Sequence, residues 1–226
     1  MQHPANLATH IQSTLIRNDV TAEQMMAHCR ECLEYGFHAA MVPGTWVELA
    51  TQMLRGSAVR VASCVDFPYG ITTTRGRVEE ARALVAAGAQ EVDFMLHLGY
   101  FKSGRLDAVR EDLVAIVRAT YPAEVKIMLE LPLLTPVERE QVVELAVAAG
   151  VHWLKNASGG AVGVATPEDI RFLRERAPQG VRVKASGGIK TAEQVAALLA
   201  AGAELVGTSS AAAIVTGRGS GVNDQY

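Results

Sequence analysis

The chain has 226 residues, 49% of them hydrophobic, and a net charge of −3, which suits one globular domain and excludes the basic surface that a nucleic-acid partner requires. No apolar run reaches the roughly 20 residues of a membrane span, and Met1 to Asn18 lacks the basic flank and apolar stretch of a secretory signal, so a soluble cytoplasmic protein without a membrane partner is expected. Three cysteines, an odd number, do not make a disulfide framework.

Along the chain, the first predicted strand covers residues 7–15. A helix follows from Thr21, with Cys29 and Cys32 on one face beside Met25 and Met26; that spacing predicts a buried helix face rather than a redox or metal pair. Strands are expected at 37–42 and 59–66, the latter carrying Cys64 into the core, and then at 91–98, 125–132, 151–157, 181–186 and 204–208. Their joints share a cadence. Val85-Ala-Ala-Gly88, Val147-Ala-Ala-Gly150 and Leu199-Ala-Ala-Gly202 each end an amphipathic stretch with a glycine suited to a left-handed helix end, and a strand begins next. Thr135-Pro136, Thr166-Pro167 and Thr191-Ala192 read as capped helix starts. Eight alternating β and α units predict the α/β class and a single-domain closed (β/α)8 barrel over residues 1–226, with 217–226 a flexible tail.

Strands of such a barrel should be nearly continuous apolar runs, so ionisable residues inside them are informative. Asp93, Lys126, Glu130, Lys155 and Lys184 all interrupt predicted strands four to seven, whose C-terminal ends meet at the barrel mouth, where this fold keeps its active sites. Lys126 could equally belong to a buried ion network with Asp93 or Glu130. Lys155 and Lys184 are each followed within three residues by Ser-Gly-Gly. Two ammonium groups brought together in a partly buried cavity favour a neutral amine on one of them, the requirement for a lysine nucleophile that forms a Schiff base. An imine withdraws electrons as a Lewis acid would, so neither metal nor cofactor is called for. His97 is expected as a core or rim residue.

The turns suggest a phosphate site. Ser186, Gly187 and Gly188 after strand seven, with Gly207, Ser209 and Ser210 after strand eight, offer backbone amides and hydroxyls beside helix starts, and Gly159 and Gly160 after strand six could complete the ring.

These residues resemble the deoxyribose-phosphate aldolase family of class I aldolases, over about Thr14 to Gly217. The likeness is clearest in Gly88-Ala-Gln-Glu-Val-Asp93, Lys102-Ser-Gly104, Val125-Lys-Ile-Met-Leu-Glu130, Lys155 with its Ser-Gly, Val183-Lys-Ala-Ser-Gly-Gly-Ile-Lys-Thr191 and Gly202-Ala-Glu-Leu-Val-Gly-Thr-Ser-Ser210. The resemblance implies that Lys155 carries the Schiff base, that Lys184 is the neighbouring cation depressing its pKa, and that Asp93 works with water in proton transfer. It further implies cleavage of 2-deoxy-D-ribose 5-phosphate to glyceraldehyde 3-phosphate and acetaldehyde, and a homodimer. The family's Asp-His-Thr reads Gln12-Ser13-Thr14 here, with Thr14 assigned to the substrate site; its Ile-Gly-Phe-Pro reads Val65-Asp66-Phe67-Pro68, and Gly160 stands where a larger residue is usual. Those changes motivate a different donor or acceptor as the alternative, followed by a phosphosugar isomerase or synthase, or a non-catalytic sugar-phosphate binder. Tyr226 could reach the mouth to aid proton transfer, as a C-terminal tyrosine does in some relatives.

Overall fold

The computed structural model describes residues 7–159 and 161–217. Eight parallel strands close into a barrel in sequence order: β1 Ile11–Thr14, β2 Ala39–Met41, β3 Arg60–Val65, β4 Glu91–Met95, β5 Glu124–Met128, β6 Trp153–Lys155, β7 Arg182–Ser186 and β8 Leu205–Thr208, with β8 pairing back onto β1. All eight expected strands are present, shorter than their apolar runs because the barrel needs only a few residues per strand to close. The helices that follow them are α1 Ala22–Tyr35, α2 Val47–Leu54, α3 Thr74–Ala86, α4 Leu98–Lys102, α5 Leu106–Ala119, α6 Pro136–Ala148, α7 Pro167–Arg176, α8 Ala192–Ala200 and α9 Ala211–Thr216.

Local chemistry sets the helix starts. Thr135 and Thr191 form capping boxes with Glu138 and Gln194, and the Thr166 hydroxyl accepts from the Asp169 amide, each satisfying amides that have no partner within the helix. Gly88, Gly150 and Gly202 all have positive φ, as the repeated Ala-Ala-Gly requires.

Side chains alternate along each strand, and the two faces differ in chemistry. One set, including Ile11, Val61, Val92, Phe94, Val125, Ile127, Leu154, Val183 and Val206, packs outward into the continuous apolar layer beneath the helices. The other set turns into the barrel, where small Ala39 and Ala62 beside Met41 leave room for buried polar groups from the opposite wall.

Two expectations need correction. The fifth strand stops at Met128, because Glu130 takes a left-handed conformation (φ 55°) and leads into a short 3-10 turn, Leu131–Leu133, that contains Pro132. The fourth strand stops at Met95, and His97 lies before α4 with its ring stacked 3.8 Å from Tyr100. Gly217 ends α9, whereas Gly160, Tyr226 and the remainder of the expected tail lie outside the described residues.

Candidate active site

Strand register brings the functional groups together. Cys64 pairs with Asp93 and Asp93 with Lys126, and two residues farther along β5 Met128 pairs with Lys155 and Lys155 with Lys184, so β3 to β7 turn these side chains into the same interior from two successive inward-facing rows. Within it, the Asp93 carboxylate is the shared acceptor: Lys184 Nζ donates to Oδ2 at 2.6 Å and Lys155 Nζ donates to the same oxygen at 3.1 Å. Lys126 Nζ stands 3.5 Å from Oδ1. A small cavity opens over these groups; Asp93, Lys155, Lys184, Thr14, Ser158, Ser186 and Gly207 line it, and Ile16, Met41, Phe67 and Met128 form its apolar walls.

Burial alone would raise the Asp93 pKa, but Lys184, Lys155 and Lys126 together pull it well below the usual carboxylate range, so Asp93 stays ionised. Lys184 is pushed down to about 7, first by burial and then by Lys155 and Lys126, with Asp93 opposing. The resemblance makes Lys184 the cation acting on Lys155; in the structure the repulsion also acts on Lys184, which lines the same cavity as Lys155 and is the more deeply buried of the two. A lysine titrating near 7 is matched to carrying protons at neutral pH, whereas a carboxylate held low is a weak base and a strong electrostatic anchor.

Lys126 finds its main partner in Glu91, at 2.6 Å, with Asp93 second. It does not pair with Glu130, whose turned backbone aims the carboxylate at the Ser158 amide (2.6 Å) and hydroxyl (3.2 Å). Glu130 thereby holds the loop that follows Lys155. Burial raises its pKa, and the Ser158 bonds oppose that rise.

The expected phosphate turns divide. Ser186 and Gly207 reach the cavity, and Ser210 is buried with its amide donating to Thr208 Oγ1 at 3.0 Å, while Ser209 is exposed. Gly187 and Gly188 both have positive φ. At Gly187 an added Cβ would overlap the Gly163 carbonyl oxygen and lie 3.3 Å from that of Gly159, so the loops after β6 and β7 touch backbone to backbone. Gly187→Ala is therefore expected to lower stability by about 1 to 3 kcal/mol and to weaken binding of a phosphorylated ligand; thermal unfolding, with and without ligand, checks both effects.

Glu91 was missed by sequence reasoning. It is fully buried and accepts from Lys126, from His38 Nε2 at 2.6 Å, from Arg60 Nη1 at 2.9 Å and from Gln12 Nε2 at 2.9 Å. Its position two residues before Asp93 on one strand was the available signal, since alternation puts both on the same face. Cys29 and Cys32 are buried on α1, and burial lifts the Cys29 thiol to about 11, as a packed helix face predicts. Among the described residues no group of three or more His, Cys, Asp or Glu is arranged to hold a metal ion, and no helix is long and apolar enough to cross a membrane.

No family model matches the chain. It is 38% identical over 212 residues to deoxyribose-phosphate aldolase of Brevibacillus brevis, covering 94% of this chain and 96% of the relative. It is 37% identical over 214 residues to deoxyribose-phosphate aldolase of a Geobacillus species, covering 94% and 96%. Among solved structures, the deoxyribose phosphate aldolase of Aeropyrum pernix, described as tetrameric, is similar at TM-score 0.87 and 31% identity over 94% of this chain and 91% of that one.

Proposed function

The chain belongs to the deoxyribose-phosphate aldolase family, and on that premise we propose that it is a carbon-carbon lyase that reversibly cleaves 2-deoxy-D-ribose 5-phosphate to glyceraldehyde 3-phosphate and acetaldehyde through an imine on Lys155. The observation that carries the assignment of roles is the single Asp93 oxygen shared by two lysines that both line the cavity, with Lys155 the less deeply buried of the two and Lys184 the more closely held.

In the cleavage direction, the neutral Lys155 amine adds to the aldehyde carbon C1 of the open-chain sugar, and loss of water leaves an iminium. The C2–C3 bond then breaks; its electron pair moves into the iminium to form an enamine, and the C3 hydroxyl gives up its proton as the new aldehyde leaves. Lys184 is placed to accept and return that proton, and Asp93 steadies the cations on either side of it. Protonation of the enamine at C2 and hydrolysis release acetaldehyde and restore Lys155. Ser186, Gly187, Gly188, Gly207, Ser209, Ser210, Gly159 and Gly160 are assigned to the phosphate end, and Thr14 to the substrate's polar face. The proposal extends to a cytoplasmic homodimer, on family resemblance.

Borohydride reduction in the presence of acetaldehyde, followed by intact mass and peptide mapping, tests this reading. The expected product is one reduced two-carbon unit on Lys155. A folded protein that gives no adduct with either acetaldehyde or 2-deoxy-D-ribose 5-phosphate would overturn it.

A further inference from the structure

Gln12 sits on β1 below the cavity, fully buried, at a position where this chain departs from the family's Asp-His-Thr. Its side chain has two partners of opposite kind. Nε2 donates to Glu91 Oε2 at 2.9 Å, and Oε1 accepts from Lys184 Nζ. The amide's orientation is forced, because an ionised carboxylate only accepts and an ammonium only donates. An amide thus satisfies both ends at once without carrying a charge.

The charges around Lys184 explain what neutrality accomplishes. Facing it are Asp93 and, beyond Gln12, Glu91 from β4, Lys126 from β5, Lys155 from β6 and the Cys64 thiol from β3. Gly207 of β8 adds no side chain, and the inward positions of β2 are Ala39 and Met41. Three lysines therefore meet two carboxylates. A third carboxylate at position 12 would hold the Lys184 proton more tightly; the amide orients the ammonium without that extra charge.

We propose that Gln12 is a positioning residue for the aldol reaction: a neutral bridge that fixes Lys184 at Asp93 and ties it to the buried Glu91–Lys126 pair while leaving its proton free to move. The inference rests on the aldolase reading of the site. Consistent with it, Lys184 is the lysine whose pKa falls to about 7. Gln12 does not line the cavity, so its influence falls on turnover and not on substrate affinity.

The test follows the Lys184 side chain itself. The full chain is labelled with 13C at lysine Cε, the Lys184 resonance is assigned by its loss in Lys184→Leu, and its titration is read in wild type, Gln12→Met and Gln12→Glu. Gln12→Met keeps the volume and removes the acceptor, so the Lys184 midpoint is expected to fall by about one pH unit. In the same variant kcat for 2-deoxy-D-ribose 5-phosphate should drop about tenfold to a hundredfold, with KM nearly unchanged. Gln12→Glu restores an acceptor and adds a charge, and should raise the midpoint above the wild-type value. Midpoints that coincide in all three proteins, or a midpoint in Gln12→Glu that does not rise above that of wild type, would overturn the proposal, and the second comparison stands alone if Gln12→Met fails to fold. Absence of cleavage and of a borohydride adduct in wild type would instead remove the aldolase reading, while the titrations still decide whether Gln12 governs Lys184.

Discussion

Lys155→Ala is expected to lose aldol cleavage by about four orders of magnitude or more, and to give no reduced adduct with acetaldehyde, while its circular dichroism stays that of the wild type. The size of the effect follows from the geometry. Lys155 reaches the cavity with its Nζ on one Asp93 oxygen, whereas Lys184, which also lines the cavity, is more deeply buried and held by both Asp93 and Gln12, and Lys126 lies on Glu91. Removing Lys155 also leaves Asp93 with two cationic neighbours, so the variant keeps a compensated interior and should fold. An adduct trapped on another lysine, or turnover near that of wild type, would mean that the nucleophile has been misassigned.

Glu91→Leu is expected to destabilise the barrel by about 3 to 5 kcal/mol, read as a lower midpoint of urea unfolding. Glu91 is the point on which Lys126, His38, Arg60 and Gln12 converge. Arg60 can fall back on Glu124, 3.2 Å away, but Lys126 would be left fully buried with only Asp93 Oδ1 at 3.5 Å. Its shift towards Asp93 would compete with Lys155 and Lys184, so activity should fall along with stability. The dependence on pH has a definite sign. Burial would raise the Glu91 pKa, but Lys126 and His38 pull it well below 4.5, so the stabilisation is present above pH 4.5 and is lost as the pH falls through the folded-state value. The gap between wild type and variant should therefore narrow in acid. An equal midpoint for the two proteins at neutral pH would show that the network contributes nothing to stability.

Much of the architecture was legible in the sequence because the signals are local. Capping threonines at 135, 166 and 191 act within one helical turn, the Ala-Ala-Gly ends act within three residues, and the apolar runs that mark strands need no knowledge of their neighbours. Lys155, Lys184 and Asp93 stood out for a similar reason: a charge in an apolar strand is anomalous wherever the strand is placed. Glu130 escaped correct placement because a left-handed turn at a glutamate has no strong sequence mark, and the apolar Leu129 and Leu131 on either side imitate a continuing strand.

The sequence by itself thus determined the alternation of strands and helices and singled out Lys155 and Lys184 as the candidate reactive lysines. Only the tertiary structure decided which groups meet. Asp93 is 62 residues from Lys155 and 91 from Lys184, and Gln12 is 172 residues from the Lys184 that it holds. Those pairings arise from barrel closure and from strand register, and each depends on the positions of several strands at once. Their energies come from unlike charges sharing a dry interior, a condition that no local stretch of sequence contains.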